Sequence, residues 1–368
     1  MTPKPTALAA AVAAALGTVA AAPAGASTVT TAAQAFTVSG SVTDSETGGA
    51  TTTTLLGSVP IAEFDAANGV LMGTTINVTS NRTETVTVTA VGSGTSSTTK
   101  TASGSGSSSA KVTASGVAGT FGTITQGGSC TGTKQAGCSA SSMDGSNPTG
   151  GAFVVSGGAL DSYVGSATEL ARLSATISAT QAAGAFPGAE STKYALNWAG
   201  SISATYDYLQ HAAPSFASDA EQLTLNLDFG TLYLDDDAPT QTVDLFNRAG
   251  ERVGLDLDSF TDTGDSSAFT TDLALFSGLT AGAENGFAFD FLTSSLGNFT
   301  AQYVLYTSDA DAGAASSRFA FSGLVINLTG RVIERPSTGP ASVPAPGVLG
   351  LLGGGLLALG LAQRRRSD

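Results

Sequence analysis

The stretch Thr85-Val86-Thr87-Val88-Thr89 alternates a hydroxyl-bearing residue with an apolar one at every step. A β-strand turns successive side chains to opposite faces, so this period of two predicts one face in a core and one in water. Thr and Val also favour the pleated, half-buried positions of a sheet. The same alternation recurs further along the chain, in residues 223–229, 253–258, 287–291 and 303–306.

Gly, Asn and Asp separate these runs, a pattern typical of stacked antiparallel sheets and not of alternating strands and helices. We therefore predict an all-β fold with two immunoglobulin-like or jelly-roll-like β-sandwich domains, followed by one C-terminal transmembrane helix. Residues 166–180 fit a helix, although Thr176-Ile177-Ser178 fits a strand equally well. The Gly-, Ser-, Thr- and Ala-rich residues 92–116 are expected to form a long loop or a hairpin inside the first domain.

The charge balance excludes one class of partner. The chain has 15 Lys and Arg against 29 Asp and Glu, a formal net charge of -14. A protein that binds nucleic acid needs a basic footprint for the phosphates, and this sequence has none outside its C-terminal tail. No nucleic acid is therefore expected as a partner.

The N-terminus has the order of a secretory signal peptide. Lys4 gives the positive region, residues 7–22 are apolar, and Ala24-Gly25-Ala26 supplies the small residues that signal peptidase needs. We expect cleavage after Ala26, with residues 1–26 removed.

The C-terminus carries a second hydrophobic segment. Residues 343–362 contain no charge over twenty positions, about the length that spans a bilayer. Arg364, Arg365 and Arg366 follow directly, and a basic cluster beside a span stays in the cytoplasm. The segment therefore predicts a membrane helix that leaves the body of the protein outside.

The order of this tail resembles the PEP-CTERM protein-sorting signal. The resemblance is carried by Val343-Pro344-Ala345-Pro346, the Gly- and Leu-rich helix, and Arg364, Arg365 and Arg366; Ala345 stands where the family usually has Glu. It implies that an exosortase reads this segment and cleaves near the Pro motif. It also implies transient anchoring in the inner membrane of a Gram-negative bacterium that makes exopolysaccharide, and then release to the cell surface or the extracellular matrix.

The body resembles domains that often precede this signal. Residues 59–65, Gly69-Val70-Leu71 and Tyr206-Asp207-Tyr208 are similar to the choice-of-anchor domains, and residues 225–232 look like the opening of immunoglobulin-like domains of the same group. The predicted divisions are a choice-of-anchor-like sandwich at 27–212, an immunoglobulin-like sandwich at 213–333, a Pro-containing linker at 334–342 and the sorting signal at 343–368.

Two cysteines, Cys130 and Cys138, are the whole cysteine content. An even number behind a signal peptide predicts one disulfide. A metal pair would need further ligands, and no His lies near in the sequence.

Nothing in the sequence predicts a catalytic site. His211 is the single His, and it is predicted to be a surface residue at the domain boundary. No G-x-S-x-G occurs, and one His excludes H-E-x-x-H. Trp198 and Phe229 lie in alternating strands, so both are predicted to be core residues and not a sugar platform or part of a nucleotide site. We expect no enzymatic activity and no cofactor other than calcium.

Carboxylates cluster at Asp235, Asp236 and Asp237, and again at Asp309 and Asp311. Calcium takes six to eight oxygen ligands at flexible spacing, so these are candidate calcium ligands. Solvated loop tips at strand ends are the other interpretation.

Taken alone, the sequence predicts a non-enzymatic, exported protein of the bacterial surface or extracellular matrix. A polysaccharide-binding module, or a calcium-dependent adhesion module, is the alternative. An enzyme acting on matrix polymers is disfavoured because no nucleophile motif is present.

Overall fold

The computed structural model describes residues 25–45, 49–155, 157–182 and 184–336, and over these ranges the fold is all-β and sandwich-like. None of the helices within these ranges has the length and hydrophobicity needed to cross a membrane. The predicted transmembrane segment at 343–362 lies outside the described residues.

The first nine strands form what we call the N-terminal unit. Their bounds are β1 Ser27–Thr30, β2 Gln34–Asp44, β3 Thr51–Ala62, β4 Val70–Val91, β5 Thr99–Ala114, β6 Val117–Thr133, β7 Gly137–Val155, β8 Thr168–Gln181 and β9 Glu190–Leu209. Two short 3-10 helices, Ala66–Asn68 and Gly157–Tyr163, lie between strands of this unit.

These strands make one antiparallel sheet in the order β1-β9-β4-β7-β6-β5-β8-β3, with β2 also pairing with β9. Strands β6 and β7 pair only at the hairpin tip, Thr133 with Gly137, so the sheet opens there. The half that contains β4 and β9 then faces the half that contains β5 and β8, and Phe121 of β6 packs edge-on against Trp198 of β9 between them. The unit is therefore a single sheet folded over its own core.

The remaining strands form the C-terminal unit. Their bounds are β10 Pro214–Ser215, β11 Thr224–Tyr233, β12 Gln241–Asn247, β13 Leu255–Gly264, β14 Phe269–Thr271, β15 Phe276–Leu279, β16 Glu284–Phe291, β17 Gly297–Asp309 and β18 Ala320–Ile333, with 3-10 helices at Ser266–Ala268 and Ala315–Ser317. A four-stranded sheet, β10-β12-β16-β14, packs on a five-stranded sheet, β11-β18-β17-β13-β15. Strand β11 pairs with β18 in parallel, and the other ladders of this unit are antiparallel.

Where the two units meet, each contributes a residue to the core of the other. Val70, at the start of β4, is fully buried among core residues of the C-terminal unit, and Ala314 packs into the N-terminal core. The Ser317 hydroxyl accepts a hydrogen bond of 3.0 Å from the Leu71 backbone N–H. These contacts join the units through buried groups and not through the connecting segment alone.

The sheet decides between two pairs of local alternatives. Residues 168–181 form a strand and not a helix, because β8 places Ala171, Leu173, Ala175 and Ile177 in the core at every second position. Of the loop and the hairpin expected at 92–116, the structure has the hairpin, in which β5 pairs with β6 and also with β8. Small residues are required there because the facing half of the sheet comes close: a Cβ on Gly106 would lie 2.0 Å from the Tyr194 ring.

Candidate functional site

The outer face of β4 carries a continuous row of uncharged polar side chains. Eight successive outward positions are Thr or Asn, while the alternate inward positions are buried. The row consists of Thr75, Asn77, Thr79, Asn81, Thr83, Thr85, Thr87 and Thr89. The alternation seen in the sequence at 85–89 therefore extends along most of this 22-residue strand.

Neighbouring strands widen the row into a surface, which we call the threonine face. Besides the β4 row it contains Thr37, Ser39, Ser41 and Thr43 of β2, Asn197, Ser201, Ser203 and Thr205 of β9, and Ser139 and Ser141 of β7. Adjacent strands lie about 4.8 Å apart, and alternate residues along a strand about 6.8 Å apart. The hydroxyl and amide groups thus stand at regular spacings along these strands, interrupted by Ala195 and Ala199 of β9 and by the exposed Met143 of β7 opposite Thr85.

Cross-strand hydrogen bonds hold part of the threonine face in place. The hydroxyls of Thr87 and Ser141 lie 2.9 Å apart, and the Asn77 amide donates to the Thr205 hydroxyl at 3.0 Å. Lys193 is the one charged residue among the outward positions of β9 between Ser191 and Thr205. The face therefore offers many donors and acceptors with little net charge.

Directly beneath the threonine face lies a buried polar cluster that the sequence analysis missed. Arg82 and Glu84 occupy inward positions of β4 and are 2% and 0% exposed. Arg82 donates to the Gly122 carbonyl at 2.6 Å and to the Ser108 hydroxyl at 3.3 Å, while Ser108 donates to Glu84. The signal was present in the sequence, because both charges fall in phase with the apolar Val86 and Val88.

Three atoms of this cluster are buried without a hydrogen-bond partner among the described residues: Arg82 Nε, Glu84 Oε2 and the Tyr194 hydroxyl. Burial lowers the pKa of Arg82, although the charge of Glu84 acts in the opposite direction. Burial also raises the pKa of Tyr194. Because Arg82 and Glu84 are almost completely buried, we expect the cluster to affect the stability of the unit.

His211 lies at the junction of the two units, and the prediction that it is a surface residue is wrong. Its side chain is 14% exposed and stacks on Phe319 with ring centroids 4.0 Å apart. Nδ1 lies 2.7 Å from Asp309 Oδ2, and Nε2 lies 2.7 Å from the carbonyl oxygen of Ala66. Since both ring nitrogens face acceptors, the doubly protonated imidazolium is the form that satisfies this arrangement.

The environment of His211 favours that charged form. Burial lowers its pKa, but the hydrogen bonds to Asp309 and Ala66 and the negative charge of Asp309 outweigh burial, and the net pKa is raised. Arg252 opposes them and also donates to the His211 carbonyl at 3.0 Å. The contact joins Ala66 of the N-terminal unit, the connecting segment and β17 of the C-terminal unit, so it is a structural bridge whose protonation affects the junction.

The predicted disulfide is confirmed. Cys130 and Cys138 are bonded, with Cα atoms 5.7 Å apart, and the bond closes the β6–β7 tip where the sheet opens. Ala26 precedes β1, whereas Ala24 and the sorting residues Val343, Pro344, Ala345, Pro346, Arg364, Arg365 and Arg366 lie outside the described residues.

Three of the candidate calcium ligands have other partners. Asp309 accepts from the backbone N–H groups of Ala212 and Phe319 as well as facing His211, and Asp311 pairs with Arg318. Asp236 pairs with Arg335, while Asp235 and Asp237 are exposed. Within the described ranges, no group of three or more His, Cys, Asp or Glu side chains could hold a metal ion.

Two core assignments made from the alternation are confirmed. Trp198 is fully buried and donates from its indole N–H to the Ser80 hydroxyl at 2.9 Å. Phe229 is 5% exposed and packs against Phe269 and Phe291. Neither ring is available as a platform for a sugar.

Comparison with known proteins adds no functional assignment. No family model matches the chain, and no characterised protein matches its sequence. Among solved structures, the chain is similar to the ASH/PapD-like domain 7 of human CEP192, with 12% identity, a TM-score of 0.24 and coverage of 34% of this chain and 87% of that one. It is also similar to a nucleoside hydrolase-related hypothetical protein from Saccharophagus degradans, with 15% identity, a TM-score of 0.18 and coverage of 34% and 26%.

Proposed function

We propose that the protein is a non-enzymatic, exported protein of the bacterial surface or extracellular matrix, and that the threonine face is its contact with polysaccharide. The uninterrupted β4 row of eight Thr and Asn residues is the observation that carries this proposal. Hydroxyl and amide groups both donate and accept hydrogen bonds, which suits a polymer covered with hydroxyl groups. The low charge of the face suits a neutral polymer better than an acidic one.

The Cys130–Cys138 disulfide supports export, because disulfides persist in oxidising compartments and are rare in the cytosol. In this proposal signal peptidase removes residues 1–26, and the C-terminal helix holds the protein in the inner membrane. An exosortase then processes the PEP-CTERM-like tail, and the protein reaches the surface or matrix.

The proposal also includes a finer description of the fold. The N-terminal unit would be a choice-of-anchor-like sandwich and the C-terminal unit an immunoglobulin-like one, each presenting its loops and outer faces. The facing halves of the first unit and the two stacked sheets of the second support this description.

Export is tested by fractionating the native host and measuring the masses of the mature protein. We expect envelope or matrix material that begins at Ser27, contains the intact disulfide and has lost its C-terminal segment. Full-length, reduced protein found only in the cytosol would contradict the proposal.

Polysaccharide contact is tested by co-sedimentation of the mature protein with insoluble cellulose. The double variant Thr83→Glu/Thr85→Glu places two carboxylates in the middle of the threonine face, and we expect it to lose most of the bound fraction. Thr329→Glu changes an exposed threonine of β18 in the C-terminal unit and is the matched control. Equal binding by both variants would exclude the threonine face as the contact.

A further inference from the structure

A cavity of about 310 Å³ opens in the C-terminal unit beside the segment that connects the two units. Ala212 and Ala213 of that segment and Pro214 of β10 line it, and so do Phe321 and Leu324 near the start of β18. Leu223, which is 42% exposed, lies in its lining, whereas Leu324 is 1% exposed. Most of the lining is therefore apolar, and the volume is at the lower end of the range for small-molecule sites.

Two charged side chains line this apolar space: Arg248, which follows β12, and Glu221, which precedes β11. They form no ion pair with each other or with any other described residue. The backbone N–H of Arg248 donates to the Ala213 carbonyl at 3.0 Å, which fixes the residue beside the cavity.

Among the described arginines that are at least partly buried, Arg248 is the one whose guanidinium has no protein partner. Arg82 and Arg252 donate to backbone carbonyls, and Arg318 pairs with Asp311. The guanidinium of Arg248 has no hydrogen-bond partner among the described residues, and its Nε is buried. A guanidinium has five N–H donors in a planar fork, and those of Arg248 make no hydrogen bond to a described residue, although a buried, unpartnered Nε is shared by Arg82, Arg252 and Arg318.

We propose that this cavity binds a small carboxylate with a compact apolar body. The guanidinium of Arg248 can donate two parallel hydrogen bonds to the two oxygens of a carboxylate. A neutral ligand cannot form this charged bidentate pair. Pro214, Phe321 and Leu324 then cover the apolar body. Glu221 in the same lining disfavours a ligand that carries a further negative charge. The site is separate from the threonine face and does not depend on polysaccharide contact.

The test uses benzoate as the probe and benzamide as its neutral counterpart of the same shape, titrated into the mature protein by calorimetry. We expect saturable binding of benzoate and none of benzamide. Arg248→Gln is expected to weaken benzoate binding by roughly tenfold or more, because the bidentate pair is lost. Arg331→Gln removes an exposed arginine of β18 and should leave binding unchanged.

A second variant tests the cavity without changing Arg248, so that a folding defect of Arg248→Gln cannot account for the result. Leu223→Glu changes an exposed position in the lining and adds a carboxylate there, so we expect weaker benzoate binding with an unchanged thermal midpoint. Absence of benzoate binding, equal binding of benzamide, or full binding by both variants would overturn the proposal. Tighter binding of glucuronate than of benzoate would overturn the apolar body that we assign to the ligand.

Discussion

The two units bury their cores by different means. Val and Ala make up half of the N-terminal core, which also contains aromatic rings such as Trp198 and Tyr194 and the Arg82–Glu84 cluster, whereas they make up about a quarter of the C-terminal core. The C-terminal core contains a group of phenylalanine rings, in which Phe229, Phe269 and Phe291 lie with centroids 5.0 to 5.7 Å apart. Aromatic side chains bury far more area per residue than Val or Ala, and they form a larger share of the C-terminal core than of the N-terminal core.

This difference explains the composition of the long strands. A core of small side chains requires the two halves of the sheet to approach closely, and Gly106 and Gly104 provide that approach opposite Tyr194 and Thr192. Long, regular strands then bring many small contacts together, and their outer positions are left free for a uniform row of Thr and Asn. We infer that the N-terminal unit provides the contact surface and that the C-terminal unit provides a conventionally packed support.

The largest expected effect comes from the buried cluster of the N-terminal unit. Arg82→Ala leaves Glu84 buried without its neighbouring cation, and we expect a loss of about 3–5 kcal/mol in the free energy of unfolding. Trp198 is the single Trp and lies in this core, so its fluorescence in a urea titration reports the N-terminal unit. The double variant Arg82→Met/Glu84→Gln removes both charges and should recover part of the loss. A double variant no more stable than Arg82→Ala would contradict the assigned cause.

The next effect concerns the open side of the N-terminal sheet. Removing the disulfide with Cys130→Ala/Cys138→Ala should cost about 2–3 kcal/mol, because it closes a short loop. The C-terminal unit has no such bond, so treatment of the unaltered protein with a reductant should lower the urea midpoint seen by Trp198 alone. An equal shift in a probe of the C-terminal unit would show that the two units unfold as one.

A matched pair of glycines compares the packing of the two units. Gly106→Ala forces a Cβ to within 2.0 Å of the buried Tyr194 ring, and such overpacking costs about 1–3 kcal/mol. Gly286→Ala in β16 meets only the Asp244 carboxylate, at 3.0 Å and at an exposed position, and should change stability by less than about 0.5 kcal/mol. The urea midpoints of the two variants measure the two losses of stability. Equal losses would contradict the close approach of the sheet halves.

The smallest effect is a dependence on pH at the junction of the units. Because the folded pKa of His211 is raised above its unfolded value, its stabilising contribution is complete below about pH 6.5 and is lost as the pH rises through the folded pKa. We expect the free energy of unfolding to fall by at most about 1 kcal/mol over that rise, since His211 is partly open to water.

His211→Gln is the control for this pH dependence, because it keeps a hydrogen-bonding side chain and removes the titration. Its stability should be flat over the pH window in which the unaltered protein loses stability. A profile unchanged by the substitution would assign the titration to another group.

Sequence alternation predicted the all-β fold because a period of two depends only on local geometry. The alternation also identified Trp198 and Phe229 as core residues. The cysteine count, and not the alternation, predicted the disulfide. The alternation did not decide between loop and hairpin for β5 or between helix and strand for β8, where small residues are placed in strands by pairing and by contact with the opposite half of the sheet. Such contacts join residues far apart in the chain and leave no local pattern.

The candidate sites divide in the same way. The threonine face follows from the phase of Thr along β4, and Arg82 and Glu84 could have been found from that same phase. The His211 contacts and the Arg248 cavity could not, because they bring together Ala66, Asp309 and the connecting segment, or both sheets of the C-terminal unit, through the tertiary fold.

NMR of protein labelled at the threonine methyl groups, recorded as cellohexaose is added, tests whether the threonine face contacts polysaccharide. We expect shifts of the methyl signals of that face, such as those of Thr79, Thr83 and Thr87, and none for Thr300 and Thr329 of the C-terminal unit. Shifts confined to the C-terminal unit, or no shifts while the sugar is shown to bind, would contradict this contact.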